Sequence, residues 1–153
     1  MTGKAVRVLL CGLMGSVAVG GCRGSDKAQK NRSPLPTAAP VVVISMGEYS
    51  FDYHKSIPRG RVVFRFVNQG RVAHRPALLP LPEGVPPIDE QLRGSKRRTI
   101  NPFGGVSDRP PGATGTFAVD LHAGRRYALI CYARDPDGSS HALKGMASEF
   151  RAR

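Results

Sequence analysis

Three residues near the end of the chain have types and spacing suited to binding a redox-active metal. Cys131, His141 and Met146 follow one another in the pattern C-x9-H-x4-M, and His74 lies upstream of them. Thiolate and thioether sulfur favour Cu(I), whereas imidazole nitrogen accommodates Cu(II). A trigonal set of two histidines and one cysteine with a weak axial methionine serves both states. These four side chains therefore predict a type 1 copper site.

The beginning of the chain has the features of an export signal. Lys4 and Arg7 give residues 1–21 a basic start, and the apolar run that follows is shorter than the about 20 residues that span a bilayer. Small residues end the run directly before Cys22, which resembles a bacterial lipoprotein signal. That resemblance implies acylation of Cys22 as the first residue of the mature protein. An ordinary secretory signal with an incidental cysteine is the alternative.

The three cysteines of the chain have different predicted fates. Cys11 would leave with the signal and Cys22 would carry acyl chains, so Cys131 would be the remaining thiol. A lone thiol in an oxidising compartment has no intramolecular partner for a disulfide and is open to oxidation. A bound metal would protect Cys131, and a buried, unreactive cysteine is the alternative.

The chain is strongly basic. Removal of residues 1–21 would leave 21 basic against 11 acidic residues, a net charge of +10 with neutral histidines. Apart from the run Lys96 to Arg98 the basic residues are scattered, and this scatter, together with export, argues against nucleic-acid binding. We therefore predict an anionic lipid bilayer or an acidic protein as partner, with solubility alone as the alternative.

The sequence predicts one folded domain behind a flexible tether. Residues 22–40 comprise the acylated Cys22 and a polar stretch rich in proline and alanine, which lacks hydrophobic periodicity and is typical of a flexible linker. Residues 41–153 contain short β-branched or alternating runs separated by glycine and proline, which predict an all-β Greek-key sandwich. The predicted strands are Val41 to Met46, Tyr49 to Tyr53, Arg61 to the turn at Asn68, Val72 to Leu79, Phe117 to Leu121, Arg126 to Cys131 and Gly145 to Arg151. A long connection over 80–112 holds one helical turn, Ile88 to Leu92.

From Val41 to Arg153 the chain resembles the cupredoxins, the blue copper fold of plastocyanin, azurin and the copper domains of nitrite reductases. The matching pieces are Asn68-Gln69-Gly70 leading into His74, Gly124-Arg125-Arg126-Tyr127 leading into Cys131, and the stretch from His141 to Met146. The resemblance implies that His74, Cys131, His141 and Met146 bind one copper, with Asn68 and Arg75 next to the ligands. It also implies single-electron transfer.

Two features depart from the common cupredoxin pattern. The nine residues between Cys131 and His141 make a longer spacing than in plastocyanin or azurin, and the extra length falls in the turn-rich segment from Arg134 to Ser140. Arg75 stands where many cupredoxins have an asparagine that braces the ligand loop. A positive charge from Arg75 close to the copper would favour Cu(I).

These observations predict a function. We expect an extracytoplasmic blue copper protein, tethered to a membrane through Cys22, that exchanges single electrons with redox partners, acidic ones included. A copper storage or delivery protein and a metal-free binding module on the same fold are the alternatives. We predict no enzymatic activity, because Ile130 and Tyr132 occupy the positions next to Cys131 where multicopper oxidases carry histidines, and no hydrolase or phosphate-binding motif is present.

Overall fold

The computed structural model describes residues 38–94 and 100–153. The predicted signal, the predicted acylation site Cys22 and most of the predicted linker lie outside the described residues. Within the described residues, no helix is both long and apolar enough to cross a membrane.

Two four-stranded sheets pack face to face and enclose the main core. The elements are β1 (Val41–Gly47), β2 (Ser50–Asp52), β3 (Gly60–Asn68), β4 (Pro76–Leu81), α1 (Ile88–Arg93), β5 (Gly104–Gly105), β6 (Thr114–Leu121), β7 (Arg126–Cys131) and β8 (Ala147–Arg151). The first sheet has the order β2-β1-β3-β6 and the second has the order β5-β4-β7-β8. Strands β1 and β3 run parallel, and the other paired strands run antiparallel. The predicted all-β sandwich is confirmed.

The first sheet buries one face because its central strand alternates in hydrophobicity. Val62, Phe64 and Phe66 of β3 are each 0% exposed, whereas Arg61 before them and Arg65 between the two phenylalanines are exposed. Side chains alternate between the two faces of a strand, so the three apolar residues all point into the sandwich.

The second sheet is covered on both faces, which explains its nearly continuous apolar strands. Tyr127, Leu129 and Cys131 of β7 join the main core between the sheets, as their spacing predicted. Ala128 and Ile130 point the other way into a second apolar cluster, which the long connection covers with Ile88 of α1. Cys131 is thereby placed at the end of a strand that is buried on both sides.

Several strand boundaries differ from the predictions, and local backbone geometry gives the reason at the start of three strands. The predicted strand from Val72 starts at Pro76 as β4, because His74 pairs in an isolated bridge with Arg109 instead. Strand β2 starts one residue late because Tyr49 has a φ of 56° in the preceding turn. Strand β8 starts at Ala147 because Gly145 has a φ of 109°, in a region that favours glycine.

The predicted long connection is more structured than expected. The first two of its residues, Pro80 and Leu81, complete β4, and Gly104–Gly105 forms the short strand β5. The predicted helical turn is confirmed as α1. The connection therefore builds part of the core.

Candidate metal centre

Four segments of the chain bring the predicted ligands to one end of the sandwich. His74 lies in the loop before β4, Cys131 is the last residue of β7, His141 lies in the loop after β7, and Met146 directly precedes β8. Their exposed fractions are 0% for His74, 0% for Cys131, 1% for His141 and 0% for Met146. We call this end of the molecule the ligand end.

Three of the predicted ligands converge on one point. Nδ1 of His74 lies 3.2 Å from Nδ1 of His141, and Sγ of Cys131 lies 3.9 Å and 3.6 Å from these two nitrogens. The circle through the three atoms has a radius of about 2.1 Å, close to ordinary metal–nitrogen and metal–thiolate bond lengths of roughly 2.0–2.3 Å. The three side chains could therefore hold a metal ion between them.

The buried surroundings favour a cation at this point. Two imidazole nitrogens and a sulfur face one another where water has little access, and a cation between them would be within reach of all three. With a cation there, both Nδ1 atoms are free to coordinate and each histidine keeps its proton on Nε2. Nε2 of His74 is the one buried side-chain nitrogen or oxygen among the described residues that lacks a hydrogen-bond partner.

Met146 is fastened to two of the ligands through its backbone. Its carbonyl accepts a hydrogen bond from the amide of Cys131 at 3.1 Å, and its amide donates to the carbonyl of His141 at 3.0 Å. The side chain is completely buried in the main core. The predicted axial residue is thus tied to the cysteine and to the second histidine.

The protonation of the ligands depends chiefly on burial. Burial raises the pKa of the Cys131 thiol, and the backbone amide of Arg75, which donates to Sγ at 3.3 Å, partly opposes that rise. Burial also lowers the pKa of His74, so its imidazole stays neutral and able to coordinate at neutral pH. A metal that binds here must displace a proton from Cys131.

Asn68, predicted to lie next to the ligands, organises the loop that carries His74. Its side-chain nitrogen donates to the carbonyls of Val72 at 2.8 Å and Arg109 at 2.7 Å, and its oxygen accepts from the amide of Gly70 at 2.9 Å. Two further backbone hydrogen bonds, of 3.0 Å and 2.7 Å, join His74 to Arg109. Because Asn68 is only 1% exposed, water cannot replace these bonds.

We expect Asn68→Ala to destabilise the domain by about 2–4 kcal/mol, because it leaves buried backbone groups of the His74 loop unpaired. Asn68→Asp is the matched variant, since it keeps the acceptor for Gly70 and loses the two donated bonds. Urea unfolding followed by circular dichroism measures both. A loss below about 1 kcal/mol in Asn68→Ala would contradict a bracing role.

Arg75 contributes to the site through its backbone, while its side chain points elsewhere. The guanidinium forms a two-point ion pair with Asp108, with Nε–Oδ1 of 2.8 Å and Nη2–Oδ2 of 2.7 Å, and both side chains are about half exposed. Asp108 therefore offsets the positive charge that the sequence predicted near the metal. The amide of Arg75 still supplies a hydrogen bond to Sγ of Cys131.

Asp135 also contributes to the candidate metal centre, although the sequence did not single it out. Its Oδ1 lies 3.1 Å from Nε2 of His141, and its Oδ2 accepts hydrogen bonds from the hydroxyl of Tyr49 at 2.9 Å and from the ammonium of Lys144. These donors, of which Lys144 has the largest effect, hold the pKa of Asp135 far below its usual range, so the carboxylate is charged. The ring of Tyr49 also meets that of His141 edge-on, with centroids 5.0 Å apart.

This arrangement orients the second histidine. A carboxylate that accepts a hydrogen bond from Nε2–H of His141 keeps the proton on Nε2. Nδ1 is then unprotonated and turned toward Cys131. The signal in the sequence was the unexplained length of the loop from Arg134 to Ser140, which contains Asp135. That loop bulges to bring a carboxylate behind the histidine.

Comparisons with known proteins bear on the fold. No protein-family model and no curated protein matches the chain. Among solved structures, dithionite-reduced auracyanin from the photosynthetic bacterium Roseiflexus castenholzii matches with a TM-score of 0.53 and 20% identity, covering 76% of this chain and 99% of that chain. Auracyanin B matches with a TM-score of 0.54 and 20% identity, covering 78% and 92%. Rusticyanin from Thiobacillus ferrooxidans matches with a TM-score of 0.50 and 18% identity, covering 74% and 76%.

These neighbours are cupredoxins. The domain therefore has the cupredoxin fold, and the resemblance found in the sequence is confirmed at the level of the fold.

Proposed function

We propose that this chain is an extracytoplasmic type 1 copper protein that carries single electrons between redox partners. The observation that carries the proposal is the convergence of His74 Nδ1, His141 Nδ1 and Cys131 Sγ, which lie 3.2–3.9 Å apart in a buried end of a cupredoxin fold. His74, Cys131 and His141 are the proposed equatorial ligands, and Met146 is the proposed axial ligand. Bound copper would supply one-electron chemistry between Cu(I) and Cu(II).

The rigidity of the ligand residues supports electron transfer over copper delivery. The backbones of His74, Cys131 and Met146 are each fixed by hydrogen bonds to other segments, and the ligands are at most 1% exposed. Ligands held this way change position little between two oxidation states, which favours fast electron exchange. Metal delivery would instead require these buried ligands to open.

A surface beside the ligands suits a redox partner. Tyr132 follows Cys131 directly and is 43% exposed, and Leu143 lies two residues after His141 and is 53% exposed. These side chains offer exposed apolar contacts within a few bonds of the proposed ligands. The basic composition of the chain would steer an acidic partner toward it.

We also propose that acylated Cys22 tethers the domain to a membrane on the extracytoplasmic side. The support is the signal-like segment 1–21, which ends directly before Cys22, and the linker-like composition that follows it.

A copper titration of the mature chain tests the proposed function. We expect one equivalent of Cu(II) to give the intense visible absorption of a copper–thiolate bond, and ascorbate followed by ferricyanide to bleach and restore it. Because the pKa of the Cys131 thiol is raised, binding should release its proton, and the apparent affinity should rise about tenfold per pH unit below that pKa.

The same titration separates the alternatives. Tight Cu(I) binding that a chelator removes quickly, with little visible absorption, would indicate storage or delivery. If neither copper state binds, the proposed copper site is wrong and a metal-free binding module remains.

A further inference from the structure

The end of the sandwich opposite the ligand end carries four exposed arginines from three segments. They are Arg59, Arg125, Arg151 and Arg153, here called the far-end arginines. Backbone hydrogen bonds hold their segments together: the amide of Arg59 donates to the carbonyl of Arg153 at 2.8 Å, and the amide of Ala152 donates to the carbonyl of Arg125 at 3.1 Å. The guanidinium of Arg151 donates to the carbonyl of Gly124. The fold therefore builds a concentrated basic patch from scattered residues.

Within the part of the chain that the structure describes, the far-end arginines form no ion pair with a carboxylate side chain. Across residues 38–94 and 100–153, none of the four forms an ion pair, whereas Arg61, Arg75, Arg93 and Arg126 each do. Of the acidic residues near this end, Asp120 and Glu149 are already paired with Arg61 and Arg126. Glu83, two residues after the Leu81 that pairs with Arg126, is exposed and forms no ion pair with the four arginines. The patch thus presents to solvent guanidinium groups that no carboxylate side chain of the described residues neutralises.

The chain enters the domain at this same end. Strand β1 runs parallel to β3 with Val41 opposite Val63, and the amide of Val63 donates to the carbonyl of Pro40 at 2.9 Å. Residues 38–40 therefore lie beside the start of β3 at Gly60, next to Arg59. Cys131 lies at the other end of the six-residue strand β7, about 17 Å from Arg126.

We propose that the far-end arginines dock on the anionic headgroups of the membrane, which turns the ligand end away from the bilayer toward its redox partners. The proposal rests on the membrane tether of the proposed function, and residues 38–40, which follow the proposed anchor in the chain, enter the domain at the end that carries the far-end arginines. Arginine is suited to lipid phosphate, since its planar guanidinium donates two hydrogen bonds at once. Docking would add to the acyl anchor and fix the orientation of the domain.

Lipid is the occupant that the geometry favours over an acidic protein. A redox protein bound to the far-end arginines would be separated from Cys131 by the length of β7. Tyr132 and Leu143, the exposed apolar residues beside the ligands, would stay free to meet such a partner.

Vesicle sedimentation tests the docking surface without the acyl chain. The protein is residues 22–153 carrying Cys22→Ser and loaded with copper, mixed with vesicles of phosphatidylcholine alone or with an equal part of phosphatidylglycerol. We expect binding to the anionic vesicles only, weakening as salt is added. The double variant Arg125→Gln/Arg153→Gln should bind about 25-fold more weakly, since each basic residue near an anionic surface contributes roughly fivefold.

The control is Arg65→Gln/Arg71→Gln, which removes the same formal charge elsewhere on the surface, where Arg71 is paired with Glu48 at 3.7 Å. It should change binding less than about threefold. Equal losses in the two double variants, or no preference for anionic vesicles, would overturn the docking surface. The visible absorption of the same samples reports on the copper site independently. Absorption without vesicle binding would contradict only the docking, and vesicle binding without absorption would contradict only the copper site.

Discussion

Cys131→Ser should abolish the visible absorption of the copper-loaded protein and weaken Cu(II) binding at least about a thousandfold. A serine hydroxyl does not ionise near neutral pH, so the equatorial set of two imidazoles and one thiolate loses its only anion. Cys131 is 0% exposed and its sulfur accepts a hydrogen bond from the amide of Arg75. We therefore expect no water or neighbouring side chain to replace the thiolate as ligand. Titration with Cu(II) followed in the visible range measures both effects.

Two further variants make the result specific. In Cys131→Ser the buried hydroxyl, if unpaired, costs about 1–3 kcal/mol of stability. Cys131→Ala removes the sulfur without burying a hydroxyl. A similar loss of copper binding in both variants therefore assigns the loss to the missing ligand and not to damage of the core. Cys22→Ser should keep the absorption unchanged. A blue protein in either Cys131 variant would contradict the assignment of the thiolate.

Asp135→Asn should lower the affinity for Cu(II) by about 10–100-fold, the range found when the partner of a ligating histidine is removed. The amide can still face Nε2 of His141, but it lacks the negative charge that stabilises the oxidised metal and that attracts Lys144. If Cu(I) affinity is unaffected, the midpoint potential should rise by about 60–120 mV, since a tenfold change is about 59 mV for one electron. Voltammetry of the copper-loaded protein measures this shift.

Asp137→Asn is the control for Asp135. Asp137 lies on the same loop and is exposed, and its hydrogen bonds go to the amide and hydroxyl of Ser139. The variant Asp137→Asn should leave both the Cu(II) affinity and the midpoint potential close to the native values. If the two variants behave alike, the effect comes from the loop and not from the contact with His141.

The fold class could be predicted from the sequence, and candidate ligands could be named, because each leaves a local signal. Alternation in β3 and the apolar run of β7 reflect which faces are buried, and the order His74, Cys131, His141, Met146 can be read directly from the chain. Strand ends were less accurate, because they depend on single backbone angles such as the φ of 56° at Tyr49. Local composition does not specify such angles.

Contacts between distant segments left no comparable signal. Arg75 looked like an unpaired charge beside the metal, but the fold places Asp108, 33 residues later, against its guanidinium. Asp135 looked like a turn residue, and only the approach of Tyr49, 86 residues away in sequence, together with Lys144 shows that it supports His141. The charge of each residue was known from its type, while its partner was not.

By itself the sequence determined the donor types, their order and the basic charge of this protein, since these are properties of residues and of short stretches. Only the tertiary structure decided that three donors lie 3.2–3.9 Å apart around one point, and that four arginines meet at the opposite end of the sandwich. The physical reason is strand register. Which residues of different segments become neighbours depends on how whole strands pair and pack, and no single segment carries that information.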